Sequence, residues 1–338
     1  MKCIFTFLLC LTCQYLLAQD YTFSQFYEQP ILRNPALAGI FIGDIRISGI
    51  NRTQWASVTV PYKTTALSVE YKVPIFKEHD FLTMGFQSIL DAAGDLNLKR
   101  THLLPFLNFH KSLNDNKDEY LSVAFMGGFV SSQFDPSKIR GEEQYINGSY
   151  SPNNPVIQNF NRVGYNYWDL SAGISYSSSI NEDIRYYVGA ALFHLNKPTK
   201  SYFNQSNFDF FKSKLSLNAG VTVGITDVTR IIGFADYFIQ GEYRQLFLGA
   251  LYHYDIDTDE NDQKTSIGFG SFYRVGDAIV PVIKLDYKQF TLGISYDVNV
   301  SALKTASLYR GGFEITMNYK TYLKAPNSTL DKMRCVRF

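Results

Sequence analysis

A chain of 338 residues carries 32 Lys and Arg against 31 Asp and Glu and is almost neutral. That balance supplies neither the basic field that nucleic acid recognition needs nor an acidic tail. Aromatic residues reach 16%, with 27 Phe and 24 Tyr but only 2 Trp, a load that suits the aromatic girdles of a membrane barrel.

The first element is a targeting segment. Lys2 precedes a mostly apolar run to Leu17, and Leu17-Ala18-Gln19 then meets Asp20. This reads as a secretory signal peptide over 1–19, too short for a stable membrane span. Cys10 and Cys13 make a poor lipobox, and with Cys3 they leave in the signal. Cys335 is then the sole cysteine, which excludes an intramolecular disulfide and a thiolate metal site. No later run of eighteen apolar residues offers a transmembrane helix.

Residues 20–40 are not strand-like. Pro30 and Asn34-Pro35-Ala36-Leu37-Ala38-Gly39 predict turns and a short helix, expected as an N-terminal segment on the periplasmic side. Fourteen strand candidates follow, at 44–51, 64–72, 81–90, 101–111, 120–131, 167–178, 184–194, 214–226, 230–240, 244–255, 265–274, 278–287, 289–298 and 310–320. Residues 321–338 form a C-terminal tail, and 20–338 is read as one domain.

The last two candidates are the most informative. Phe290, Leu292, Ile294, Tyr296 and Val298 alternate with Gln289, Thr291, Gly293, Ser295 and Asp297. Phe313, Ile315, Met317 and Tyr319 alternate with Arg310, Gly312, Glu314, Thr316, Asn318 and Lys320. A period of two means extended strands with unlike faces. A dry core does not accept the second set unpaired. Lipid on one side and a wet lumen on the other accommodates both, as in a transmembrane antiparallel β-barrel; a soluble sandwich also alternates. Connection lengths favour the barrel. The longest, 132–166 and 195–213, fall at odd positions, where outer loops belong, and several even ones are tight; 256–264, even and moderately long, and 275–277, odd and very short, are exceptions.

Signals for chemistry are weak. His79, His102, His110, His194 and His253 are scattered without a metalloprotease, nucleophile-elbow or phosphate-loop motif. In the acidic run from Asp255 to Asp262, Glu260 stands where a calcium loop needs Gly and Ser266 where it needs Glu. No enzyme activity, cofactor or metal is expected. Arg274, Lys284, Asp286, Arg310, Glu314 and Lys320 point to the lumen with mixed signs. That suits a self-paired network better than a selectivity ring, which would show one sign.

Several short motifs, in order, resemble the PorP/SprF family of type IX secretion system membrane proteins. They are Gln25-Phe26-Tyr27, Asn34-Pro35-Ala36-Leu37-Ala38-Gly39, Arg52-Thr53-Gln54-Trp55, Asp169-Leu170-Ser171-Ala172-Gly173 and His194-Leu195-Asn196-Lys197-Pro198. Gln240-Gly241, Arg274-Val275-Gly276-Asp277-Ala278, Ser295-Tyr296-Asp297, Arg310-Gly311-Gly312-Phe313-Glu314 and Cys335-Val336-Arg337-Phe338 complete the series. Thr53 and Val336 depart from the family's usual Asn and Pro. The resemblance implies an outer-membrane barrel working with the type IX secretion machinery. It also implies partners: outer-membrane lipid, a secreted surface adhesin with a type IX C-terminal signal domain, and periplasmic ring and lipoprotein components of the apparatus. Arg52, Gln54, Trp55, Arg274, Asp277, Arg310, Glu314, Cys335 and Phe338 are the partner-binding or lumen candidates. Arg52 and Trp55 are placed in the first outer loop, where they either meet a partner or fold inward as a plug. A diffusion porin for small solutes is the alternative function.

Overall fold

The computed structural model describes residues 22–323 apart from 56–59, 76–78, 115–117, 140–143, 147–148, 152–153, 155–162, 200–209, 259–263, 303 and 306. The signal peptide, Cys335, Phe338 and nearly all of the expected C-terminal tail lie outside the described residues. In chain order the strands are β1 (Ile45–Gln54), β2 (Tyr62–Pro74), β3 (Phe81–Ala93), β4 (Leu98–Asn114), β5 (Glu119–Gln133), β6 (Tyr145–Ile146) and β7 (Ser149–Tyr150). They continue as β8 (Gly164–Ser179), β9 (Ile184–Phe193), β10 (Lys214–Thr226), β11 (Thr229–Gln240), β12 (Tyr243–Thr258), β13 (Lys264–Arg274), β14 (Ala278–Tyr287), β15 (Phe290–Asn299) and β16 (Arg310–Thr321). All but the β6–β7 hairpin form one closed antiparallel barrel. Its seam joins β1 to β16, from Ile45 opposite Thr321 to Gln54 opposite Gly312.

Alternation in sequence becomes alternation of surroundings. In β15 Phe290, Leu292, Ile294 and Tyr296 are exposed, and Thr291, Ser295 and Asp297 are buried. In β16 Phe313, Ile315 and Met317 face out, and Glu314, Thr316 and Asn318 are buried. The outward face is the apolar one, the reverse of a soluble sandwich and stable only against lipid. Among the described residues no helix is long and apolar enough to cross a membrane. Short connections join the strands at the end of the barrel where β1 begins, here the turn end, and the two longest connections, between β5 and β8 and between β9 and β10, leave from the opposite loop end. Outer-membrane barrels place short turns in the periplasm and long loops outside.

Each of the fourteen expected strands is present, several of them longer than expected. In β4 pairing extends past the apolar band at both ends: Arg100 still lies opposite Asp91 and Asn114 opposite Glu119. The first expected connection is shorter than its sequence suggests. Arg52 is not in a loop but in β1, in register with Thr64 and Glu314.

The N-terminal segment requires the larger correction. Expected beside the barrel on the periplasmic side, its described part instead fills the lumen. Three helical turns, Phe26–Glu28, Pro30–Arg33 and Pro35–Leu37, are nearly wholly buried. The short helix and turns themselves follow from sequence. Pro30 and Pro35 preset the first helical φ, and Asn34 caps the third turn by accepting from Ala36 N at 2.9 Å. Sequence hides the destination, because each plug side chain meets a different distant strand. Phe26 and Tyr27 pack with Phe247 and Phe272, Ile31 and Ala38 with Phe106 and Met126, and Phe23 with Ile50 and Ile89. Each such side chain contributes about 1.5–3 kcal/mol on burial. Trp55, expected with Arg52 to meet a partner or fold inward as a plug, sits at the rim, half-buried and leaning on Tyr62 with ring centres 5.6 Å apart.

Candidate functional site: the plugged lumen

The plug starts in the loop-end half of the lumen, and its start is clamped by charge. Glu314 accepts from two successive plug amides, Ser24 N at 2.6 Å and Gln25 N at 2.8 Å. Arg52 donates from Nη1 to Thr22 O, Ser24 Oγ and Glu314, and from Nη2 to Asp297 at 2.8 Å. Arg274 donates from Nη2 to Asp297 at 2.9 Å and from Nη1 to Ser24 Oγ at 3.2 Å, while its Nε lies 2.5 Å from Asp277. Gln54, with its amide oxygen turned to the guanidinium, accepts from Arg52. The local logic is simple: a buried carboxylate that also satisfies backbone amides compensates its own desolvation and fixes the loop it binds.

The middle of the plug is held by different chemistry. Arg33 Nε and Nη2 lie 2.5 and 2.6 Å from the two oxygens of Asp236, and Nη2 also donates to Tyr187 Oη. Its guanidinium stands 4.9 Å from the centre of the Phe26 ring. Asn108 donates to Ala36 O and Ala38 O at 3.0 and 2.8 Å, Ser175 Oγ to Ala36 O, and Ser216 Oγ to Arg33 O. Backbone without regular structure survives at membrane depth because these wall side chains complete its hydrogen bonds. Gly39, at φ +85°, turns the chain where a methyl group would overlap Thr83 Oγ1, and its N–H donates to Glu70.

Toward the turn end the plug leaves through Phe41, whose carbonyl accepts from Lys72 Nζ at 2.6 Å. Glu28 reaches the wall here, 2.8 Å from Lys284 Nζ and hydrogen-bonded by Asn318. Two cavities flank the plug. One of about 30 Å³ lies toward the loop end beside Phe23, Gln29 and Lys214; one of about 60 Å³ lies toward the turn end beside Glu28, Arg46 and Lys320.

Five of the sequence candidates, Arg52, Gln54, Arg274, Asp277 and Glu314, therefore come together at the plug's start. Lys284 and Asp286, 4.0 Å apart, belong to the turn-end group. Arg310 does not join either group: it is exposed at the loop end. Sequence reading missed Arg33, Glu70, Asn108, Asp236 and the clamp role of Asp297. Asp236 carried a usable signal, the one acid of its strand, flanked on the inward face by Phe234 and Phe238, as did Arg33, the one cation between Thr22 and Gly43. A second cluster at the loop end joins His194 Nδ1 to Asp169 at 2.9 Å, and Asn196 bridges to Trp168 O and Leu170 N. Among the described residues no three His, Cys, Asp or Glu side chains gather as metal ligands.

Comparison with solved structures finds barrels at low identity. The toluene transporter TbuX of Ralstonia pickettii superposes with TM-score 0.48 and 10% identity, over 86% of this chain and 93% of that one. CymD, a monoaromatic hydrocarbon channel, gives 0.44 and 12% over 86% and 91%. The translocator domain of the autotransporter NalP from Neisseria meningitidis gives 0.44 and 10% over 88% and 96%. Among curated proteins no sequence matches. The family described as type IX secretion system membrane protein PorP/SprF matches residues 16–319, spanning both the plug and the wall that clamps it. The chain is a member of the PorP/SprF family.

Proposed function

We propose that this protein is a non-enzymatic, plugged platform of the type IX secretion system in the outer membrane. The barrel holds its position in lipid through its apolar outer face. The loop end, with the excursions 134–163 and 194–213, receives a secreted surface adhesin. Loops on a rigid scaffold are suited to recognition, and these are rich in Asn, Ser, Tyr and Phe. The turn end and the tail 324–338 face the periplasmic ring and lipoprotein components. A signal peptide over 1–19 delivers the chain to that route.

The observation that carries this reading is the plug. A diffusion porin needs a wet passage, whereas here the lumen is occupied by a segment held through Glu314, Asp236 and Asn108. Planar-bilayer recording separates the two: the platform gives little or no conductance, and a stable open level of porin size would overturn it. Removing 324–338 and recovering periplasmic partners by pull-down tests the docking side, with reduced recovery expected.

A further inference from the structure

The turn-end cavity is bounded on one side by the plug, through Tyr27, Glu28 and Ile40, and on the other by the wall, through Arg46, Lys284 and Lys320. Most of the neighbouring charge is spoken for. Arg33 is engaged by Asp236 and Tyr187, Arg46 by Glu70, and Lys284 by Glu28. Lys320 differs: its ammonium has no hydrogen bond or ion pair with any described residue. The acids whose field reaches it, Glu28 and Asp286, are held elsewhere. Glu28 is bound by Lys284 and Asn318, and Asp286 accepts from Thr291 and Ser266.

Lys320 is half-buried, so its ammonium at the cavity is only partly solvated, and one anion would compensate it. The rest of the lining is apolar, with Leu37, Ile232, Phe234 and Leu251 completing the walls. Tyr27 also lines it, with a hydroxyl that has no hydrogen-bond partner among the described residues. Lys320 faces Arg46 across the seam, one pair from its turn-end limit, so the cationic side lies beside the mouth and the apolar side lies deeper. We propose that this cavity is a binding site for one carboxylate carried on an apolar body, with Lys320 holding the anion. The fields of Glu28 and Asp286 offset the charge of Lys320 only from beyond contact distance, so its ammonium is open to one anionic group; a phosphate dianion would meet those two acids at greater cost. The carboxylate can belong to a small organic acid or to the free C-terminus of a peptide with an apolar last residue.

The experiment uses the full chain in detergent micelles and isothermal titration with propionate, small enough for a cavity of about 60 Å³, with its neutral counterpart propionamide, and with acetyl-Ala-Ala as free acid or amide. Saturable binding of at least one acid is expected, with its neutral partner at least about tenfold weaker. Binding of propionate alone assigns a small acid; binding of the peptide acid alone assigns a chain terminus. Lys320→Gln is expected to weaken the bound acid about tenfold or more and Lys320→Arg to retain it, while Arg310→Gln, far off at the loop end, leaves it unchanged. If Lys320→Gln does not fold, Ile40→Trp fills the cavity from the plug side and is expected to abolish binding. Absence of saturable binding by both acids, equal binding of acid and neutral forms, or indifference to both variants would overturn the proposal.

Discussion

The two ends of the plug are built on opposite rules. At the loop end Arg52 and Arg274 meet Asp297, Glu314 and Asp277 with each guanidinium in contact with more than one acceptor. At the turn end Lys320 borders a cavity and has no ion pair among the described residues. Closed networks of buried charge add little net stability over an apolar core, yet losing one member is severe. A charge without a partner behaves the other way, and its removal is nearly free. The loop end thus fixes geometry, and the turn end keeps room for an occupant.

The largest expected effect comes from opening the loop-end network. Arg52→Ala leaves Glu314 and Asp297 short of a cation and is expected to destabilise by about 3–5 kcal/mol. The plug's start should loosen with it, measured as a lower unfolding temperature in micelles together with new conductance in bilayers. Asp236→Asn keeps one acceptor for Arg33 but removes the charge, with an expected cost of about 1.5–3 kcal/mol. Protease sensitivity of the plug would report it. Asn108→Ala removes the side-chain donor to Ala38 O and one of two to Ala36 O, which keeps Ser175 Oγ, at about 1–3 kcal/mol, read by denaturant titration. At the small end, Lys320→Met is expected to change stability by less than about 1 kcal/mol or to raise it. A loss as large as that of Arg52→Ala would erase the contrast between the two ends.

The wall was legible in the sequence because its rule is local. Phe290 to Asp297 declares its two faces within eight residues, and lipid requires the pattern in every strand. Strand ends were less legible: Lys99 and Arg100 look like loop residues, yet backbone pairing continues there. The plug follows no local rule. Glu314 meets Ser24 across 290 positions, and nothing in the neighbourhood of either residue names the other. The resembling motifs did gather the right residues: those holding Gln25, Arg52, Arg274, Asp297 and Glu314 converge on one cluster. They came without a place, so Arg52 was assigned to a loop and the segment around Gln25 to the periplasm.

The clamp straddles the seam, with Arg52 supplied by the first strand of the wall and Glu314 by the last. Each strand holds the plug by its own hydrogen bonds, and the ion pair between them closes only when those edges meet. The complete clamp therefore belongs to the closed barrel alone, and seam closure and plug seating stabilise one another.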